Sequence, residues 1–211
     1  MFYEPRLGHG GLAIDPLKAL VVPRPIGWIS SVDLEGRVNL APFSFFNMVA
    51  DSPPIVMFAP TGAKADGSRK DSLNNAEAVG AFVVNLATYD LRDQMNATSA
   101  RLAAGENEAQ AAGLEMVPSS IVAPPRVKAS PVALECRYLQ SVTLPTLDPA
   151  QPNTVVFGDI VGVHIDDGLI VDGRVDITRA KPIARMGYAL YAVIEQTFRM
   201  TRPASADGRM D

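Results

Sequence analysis

Ile26-Gly27-Trp28-Ile29-Ser30-Ser31-Val32, then Asp33-Leu34-Glu35-Gly36, then Val38-Asn39-Leu40-Ala41, is the stretch from which the fold is read. The first run is short, apolar and β-branched, the second carries turn residues, and the third is apolar again, so together they predict a β-hairpin. Pro42 follows directly. A proline has no N–H to give to a strand ladder, which predicts a bulge or a sheet edge there, with Phe43-Ser44-Phe45-Phe46-Asn47 resuming the strand.

Outward from this hairpin the signals remain mostly those of strands. Ile55 to Ala59, after Pro53-Pro54, reads as a third strand and Phe82-Val83-Val84-Asn85-Leu86 as a fourth. Between them lies a loop rich in Gly, Lys, Asp and Ser, then a short helix with Leu73, Ala76 and Val79 at near-helical spacing, opening at Asp71 or Ser72. From Asp90 to about Gly113 good helix formers dominate and predict one or two helices over the sheet. Pro118, Pro124 and Pro125 interrupt regular structure. Val132 to Leu144, Thr154 to Ile165 and Leu190 to Met200 predict three more strands, with a tight turn at Asp166-Asp167-Gly168. Strand and helix do not alternate steadily, so a mainly β barrel with a few helices is favoured over a doubly wound parallel sheet. Residues 1–200 read as one domain and 201–211 as a flexible tail.

Composition removes several classes of function. Nineteen basic residues against 23 acidic ones give a net charge of −4, with no basic run longer than Arg69-Lys70, so no footprint for nucleic acid exists. Cys136 is the single cysteine, and with only His9 and His164 beside it neither a disulfide nor a soft-metal site is expected. Residues 1–12 lack the basic and apolar regions of an export signal, and no apolar run approaches a membrane span. The expectation is a cytoplasmic protein without membrane attachment.

The segment Gly67-Ser68-Arg69-Lys70-Asp71-Ser72-Leu73 sets two cations and two hydroxyls at the start of a helix. Free amide N–H groups, the positive end of the helix and charge-assisted hydrogen bonds are what a phosphate requires. An ordinary solvated turn capped by Asp71 or Ser72 has the same composition, and the pattern alone does not separate the two. Gly62 to Gly67 has the glycine spacing of a nucleotide-binding P-loop, but Ser68 stands where that loop requires lysine. Neither a Gly-x-Gly-x-x-Gly turn nor a Gly-x-Ser-x-Gly elbow occurs, and His164, in an apolar strand, reads as a structural residue. Asn39 to Asn47 is dense in small polar groups and aromatics around Pro42, which suits an isoalloxazine ring, and equally suits a core strand whose polar residues face outward.

Taken in order, Arg24-Pro25-Ile26-Gly27-Trp28-Ile29-Ser30-Ser31, Asn39 to Asn47, Asp51-Ser52-Pro53-Pro54, Arg69-Lys70-Asp71-Ser72 and Phe82 to Leu86 closely resemble the flavin reductase-like family of FMN-binding split barrels. Phe157 to His164 and Ala184-Arg185-Met186-Gly187-Tyr188 extend the resemblance, which runs from about Leu20 to Met200. It implies a six-stranded split barrel that dimerises, with one FMN at each of two sites near the interface. Trp28, Ile29, Ser30, Ser31, Asn39, Ala41, Pro42, Ser44, Phe45 and Asn47 would then line the ring and ribityl chain. Ser68, Arg69, Lys70, Asp71 and Ser72 would bind the phosphate, and Arg185 and Tyr188 would complete the pocket from either chain. Many relatives carry a second glycine where this chain has Tyr188.

Three activities are compatible with that resemblance. One is a flavin reductase passing hydride from NADH or NADPH to FMN and supplying a flavin-dependent monooxygenase with reduced flavin. The others are an FMN electron carrier without a nicotinamide site and an FMN enzyme acting on a small organic substrate. The reductase needs no protein acid or base, because the protein only positions two rings and excludes water.

Overall fold

A computed structural model describes residues 1–100 and 107–201. The tail expected over 201–211 lies outside them except for Thr201, as do residues 101–106 of the helical stretch expected over 90–113.

The hairpin that opens the sequence is present as β1 (Gly27–Val32) and β2 (Val38–Phe43), paired in register from Gly27 opposite Phe43 to Val32 opposite Val38. Its turn is held by Asp33, whose carboxylate accepts the amides of Glu35 and Arg37 and the Arg37 Nε–H at 2.6 Å. Gly36 takes the positive φ of 80° that the reversal needs. Pro42 pairs with Trp28 without a register shift, so the proline marks a sheet edge and no bulge forms.

Beyond Phe43 the structure departs from expectation. The chain bends at Ser44-Phe45 and starts a separate strand, β3 (Phe46–Asp51), which pairs with β4 (Pro54–Phe58). With β5 (Ala81–Leu86), β6 (Val132–Leu144) and β7 (Asn153–Ile165), these form one antiparallel sheet in the order β2-β1-β5-β6-β7-β4-β3. The sheet thus counts seven strands, one more than the resemblance implies. Its two edge strands, β2 and β3, are joined by only two residues, so the sheet must curl until its edges meet at that corner.

The curl encloses Ile29, Val56, Phe58, Phe82, Val84, Cys136 and Val156, one inward residue or more from each of five strands. Phe58 meets Phe43 and Phe82 at ring distances of 5.2 and 5.1 Å. Each such fully buried side chain contributes about 1.5–3 kcal/mol relative to exposure. Helix α1 (Asp71–Val79) inserts Leu73 and Ala76 into the same core and packs against β1, β2, β5 and β6, covering the barrel where no strand closes it.

A second core lies on the outer face of β1, where Trp28 and Leu40 pack with Met95 of α2 (Arg92–Ala97), Ala109 of α3 (Glu108–Ala111), Val127 and Ile183. Strand β1 is therefore buried on both faces along its whole length. A small sheet joins Arg24–Pro25 to β8 (Ile183–Gly187) and β9 (Leu190–Val193). The strand expected over 190–200 stops at Val193, because its partner begins at Ile183 and Pro182 before it offers only a carbonyl, which accepts the Ile194 amide. Asp166 caps a short 3-10 turn, Asp167–Leu169, through the Gly168 amide at 2.7 Å where the turn was expected.

Candidate functional site

The edge strand β2, the turn before α1 and the start of α3 surround a cleft of about 820 Å³. Pockets for cofactors and substrates span roughly 300–1,000 Å³, so a mononucleotide can be enclosed here. Six of the residues expected at the site line it together: Asn39, Ala41 and Pro42 from the edge strand, and Lys70, Asp71 and Ser72 from the helix start.

The helix begins at Asp71, as the spacing predicts, but neither Asp71 nor Ser72 caps it. The cap position belongs to Lys70, with extended backbone at φ −60° and ψ 139° and no side-chain cap bond. The amides of Asp71 and Ser72 have no acceptor within the helix and point out of its first turn. Asp71 instead accepts the Lys64 ammonium at 2.8 Å, and the nearly fully buried Ser72 hydroxyl accepts from Asn39 Nδ2 at 2.8 Å. This last bond ties the edge strand to the helix and fixes the angle between the two walls. Lys70, half-buried in the wall, has no ion-pair partner among the described residues. An unpaired ammonium beside two free amides is the electrostatic complement of a phosphate.

The other cations and hydroxyls of that segment are engaged elsewhere. Arg69 turns along the helix to Glu77 at 2.8 Å. Ser68 donates both its amide and its hydroxyl to Asp66 Oδ1, at 2.9 and 2.6 Å.

Trp28, Ile29, Ser30 and Ser31 are fully buried, and their side chains do not reach the cleft wall. The Trp28 indole donates to Thr98 Oγ1 at 2.9 Å, and Ile29 belongs to the barrel core. Ser30 donates to the Pro125 carbonyl, and Ser31 accepts from Asn75 at 3.1 Å. These serines satisfy buried polar groups between the two cores, which explains polar residues in a doubly buried strand.

Ser44, Phe45 and Asn47 follow the bend away from the cleft, with Phe45 partly exposed under the Arg24 guanidinium at 5.9 Å and Asn47 accepting the Met48 amide at 2.9 Å. Arg185 and Tyr188 sit on the small sheet, where the Arg185 guanidinium stacks on Tyr191 at 4.7 Å and donates to its hydroxyl and to the Tyr188 carbonyl.

The cleft also has walls that the sequence reading did not single out, among them Lys64, Asp66, Thr98, Ser99, Asn107 and Glu108. Lys64 was legible as a cation seven residues before the helix start. Glu108 carried no local signal; it arrives by packing of a four-residue helix on the edge strand, where its Oε2 accepts the Leu40 amide at 3.2 Å. Burial pushes its carboxyl above the ordinary range, and the negative charge of Asp71 adds to the effect despite its own backbone amide, the Leu40 amide and Lys64.

The chain is 36% identical over 194 residues to an uncharacterized protein of Deinococcus radiodurans, covering 88% of this chain and 82% of that one. Among solved structures it superposes with a TM-score of 0.84 on nitrilotriacetate monooxygenase component B from Bacillus cereus, at 30% identity over 95% of this chain and 98% of that one. The 2-nitrobenzoate 2-nitroreductase NbaA of Pseudomonas fluorescens follows at 0.77, 29% identical over 90% and 91% of the two chains. A split-barrel-domain protein from Shewanella frigidimarina, at 0.78 and 21% identity over 96% of this chain and all of that one, speaks for the fold. Residues 19–178 match the flavin reductase like domain, so the curled seven-stranded sheet is a split barrel and the chain belongs to that family.

Proposed function

We propose that the chain binds FMN in this cleft and acts as an NAD(P)H-dependent flavin reductase. The observation that carries the reading is the convergence of Lys70, which has no ion-pair partner among the described residues, and the first-turn amides of Asp71 and Ser72 on a cleft of about 820 Å³. FMN, when bound, supplies a two-electron acceptor for hydride. Lys70 and the two amides hold the phosphate, while Ala41, Pro42 and Phe43 offer an apolar wall at an edge where Pro42 leaves no N–H in need of a ladder partner. The Asn39–Ser72 bond keeps the two contacts at a fixed spacing. Positioning of this kind needs no proton donor from the protein, in keeping with a family whose chemistry resides in the cofactor.

The family match supports flavin chemistry, and the likeness to a monooxygenase component supports delivery of reduced flavin to a partner oxygenase. The same reading has two chains sharing each site, with Arg185 and Tyr188 of one chain beside the flavin of the other, in the cytoplasm. A second reading, an FMN enzyme acting on a small organic substrate, draws on the likeness to a nitroreductase.

Stopped-flow mixing of the FMN-loaded protein with NADH and then NADPH tests the proposal. Rapid bleaching with one or both is expected. Bleaching by dithionite alone would point to a carrier, and reoxidation by a nitroaromatic faster than by oxygen would favour the second reading.

A further inference from the structure

Of the four carboxylates that line the cleft, Asp71 pairs with Lys64, Asp33 with Arg37, and Asp66 accepts the amide and hydroxyl of Ser68, whereas Glu108 has neither a cation nor a side-chain donor among the described residues. Its position is fixed. Asn107 caps the short helix by accepting the Gln110 amide at 3.1 Å, and Glu108 Oε2 receives the Leu40 amide of the edge strand at 3.2 Å. Its own backbone amide is the other donor to the carboxylate among the described residues, and no side chain there donates to it. A half-buried carboxylate accepts up to about four hydrogen bonds and is costly to leave short of them, so a ligand in this cleft meets an unfilled acceptor.

We propose that Glu108 recognises the ribityl chain of the flavin by accepting a hydroxyl proton on its cleft-facing carboxylate oxygen. The inference rests on the FMN reading given above and adds to it a residue that selects for the polyol. The chemistry of the ligand narrows the choice. The phosphate is excluded as Glu108's partner, because both are anionic and the cationic grip is at Lys70. The pyrimidine edge of the ring offers one N–H between two carbonyls, and a carboxylate facing it would be repelled by both oxygens. The ribityl chain offers hydroxyl donors directly beside the phosphate. Glu108 lines the same cleft as the phosphate grip, close enough to Asp71 and Lys64 for its carboxyl to respond to both charges. The groups at its carboxylate are thus Asp71 and Lys64 from the helix side, the Leu40 amide from the strand and its own amide.

Three ligands separate the parts of the molecule. FMN carries ring, ribityl and phosphate, riboflavin lacks the phosphate, and lumiflavin has a methyl group in place of the ribityl chain. Dissociation constants from flavin fluorescence are measured for the parent protein, Glu108→Ala and Glu108→Gln. Glu108→Ala is expected to weaken FMN and riboflavin alike, by about 10- to 100-fold for a lost hydrogen bond to a charged group, and to leave lumiflavin unchanged. Glu108→Gln keeps an acceptor oxygen and is expected to recover part of that loss, and it carries the test alone if the alanine variant does not fold. Equal weakening of all three ligands, no change in any, or tighter FMN with unchanged riboflavin would overturn the proposal. Failure of the parent protein to bind any of the three would instead remove the FMN reading itself.

Discussion

His164 Nε2 lies 2.5 Å from Glu135 Oε1, and the fully buried Glu135 carboxylate also accepts the amides of Ser120, Ile121 and Val122 at 2.7, 2.6 and 3.0 Å. One carboxylate thereby fastens the proline-rich loop of residues 118–125 to adjacent strands β6 and β7. His164 does not line the cleft. Its role is that of one donor among four to a buried anion, and His164→Gln is expected to keep FMN reduction by NADH within about tenfold of the parent. A larger loss in a variant that still bound FMN would give the histidine a part in the reaction.

Burial alone would push the Glu135 carboxyl up, but the Ser120 amide, His164 and the Ile121 and Val122 amides outweigh it and hold it at about 2, below the ordinary 4.5. A depressed carboxyl contributes stability that is fully present above its unfolded value and is lost as pH falls through its folded one. In urea unfolding, the parent is therefore expected to exceed Glu135→Gln by about 3 kcal/mol at pH 6, the gap closing between pH 4.5 and 2. A gap independent of pH would show that the carboxylate charge is not what holds the loop.

Lys70→Ala is expected to weaken FMN by about 10- to 100-fold and to leave riboflavin nearly unchanged, since only the phosphate is addressed by the ammonium. Arg69→Ala serves as the internal control. Its guanidinium is bound to Glu77, so its removal should alter neither affinity. Loss of both ligands to the same degree on removal of Lys70 would place the phosphate elsewhere.

The proposed dimer has exposed apolar side chains to draw on. A register shift between Met48 and Ala50 turns both Met48 and Val49 outward on the edge strand, 51% and 48% exposed, and β6 and β7 expose Leu139, Val142, Leu144, Val163 and Ile165. Light scattering at micromolar concentration is expected to return twice the 22.5 kDa chain mass, and Val49→Asp to shift it toward one chain. A parent mass of one chain would oppose both the dimer and a site shared between chains.

The barrel was largely legible because its signals are local. The β1–β2 hairpin, the proline edge at Pro42 and the apolar run of β5 each follow from residue type and spacing. The separate strand β3 was not, because the bend at Ser44-Phe45 sits inside a continuous aromatic run and is imposed by sheet closure. At the site, the helix start was legible and the pairing was not. Whether Arg69 or Lys70 faces the cleft depends on Glu77, one turn from the helix end, and Glu108 enters only through tertiary packing.

The turn after β8 permits a test of backbone fit. Gly187 has φ 98°, and a Cβ there would lie 2.5 Å from Ala19 Cα, so neither the conformation nor the space admits a side chain. Gly187→Ala must move backbone, at a cost of about 3 kcal/mol, or roughly 6–12 °C in melting temperature for a chain of this size. Tyr188, with φ 46°, occupies a left-handed conformation that disfavours a residue with a Cβ by about 1–2 kcal/mol, and a glycine there would relieve it. The relief is offset by the greater freedom of glycine in the unfolded chain, about 0.4–1 kcal/mol, and by loss of the tyrosine's contacts. Tyr188→Gly is therefore expected to melt within about 3 °C of the parent while removing a half-exposed ring from the face where the partner's flavin is proposed to lie. If the melting temperature held and turnover of bulky organic acceptors rose, Tyr188 would be acting as a restriction on access. A fall as large as that of Gly187→Ala would instead make the ring part of the packing that holds β8 and β9 together.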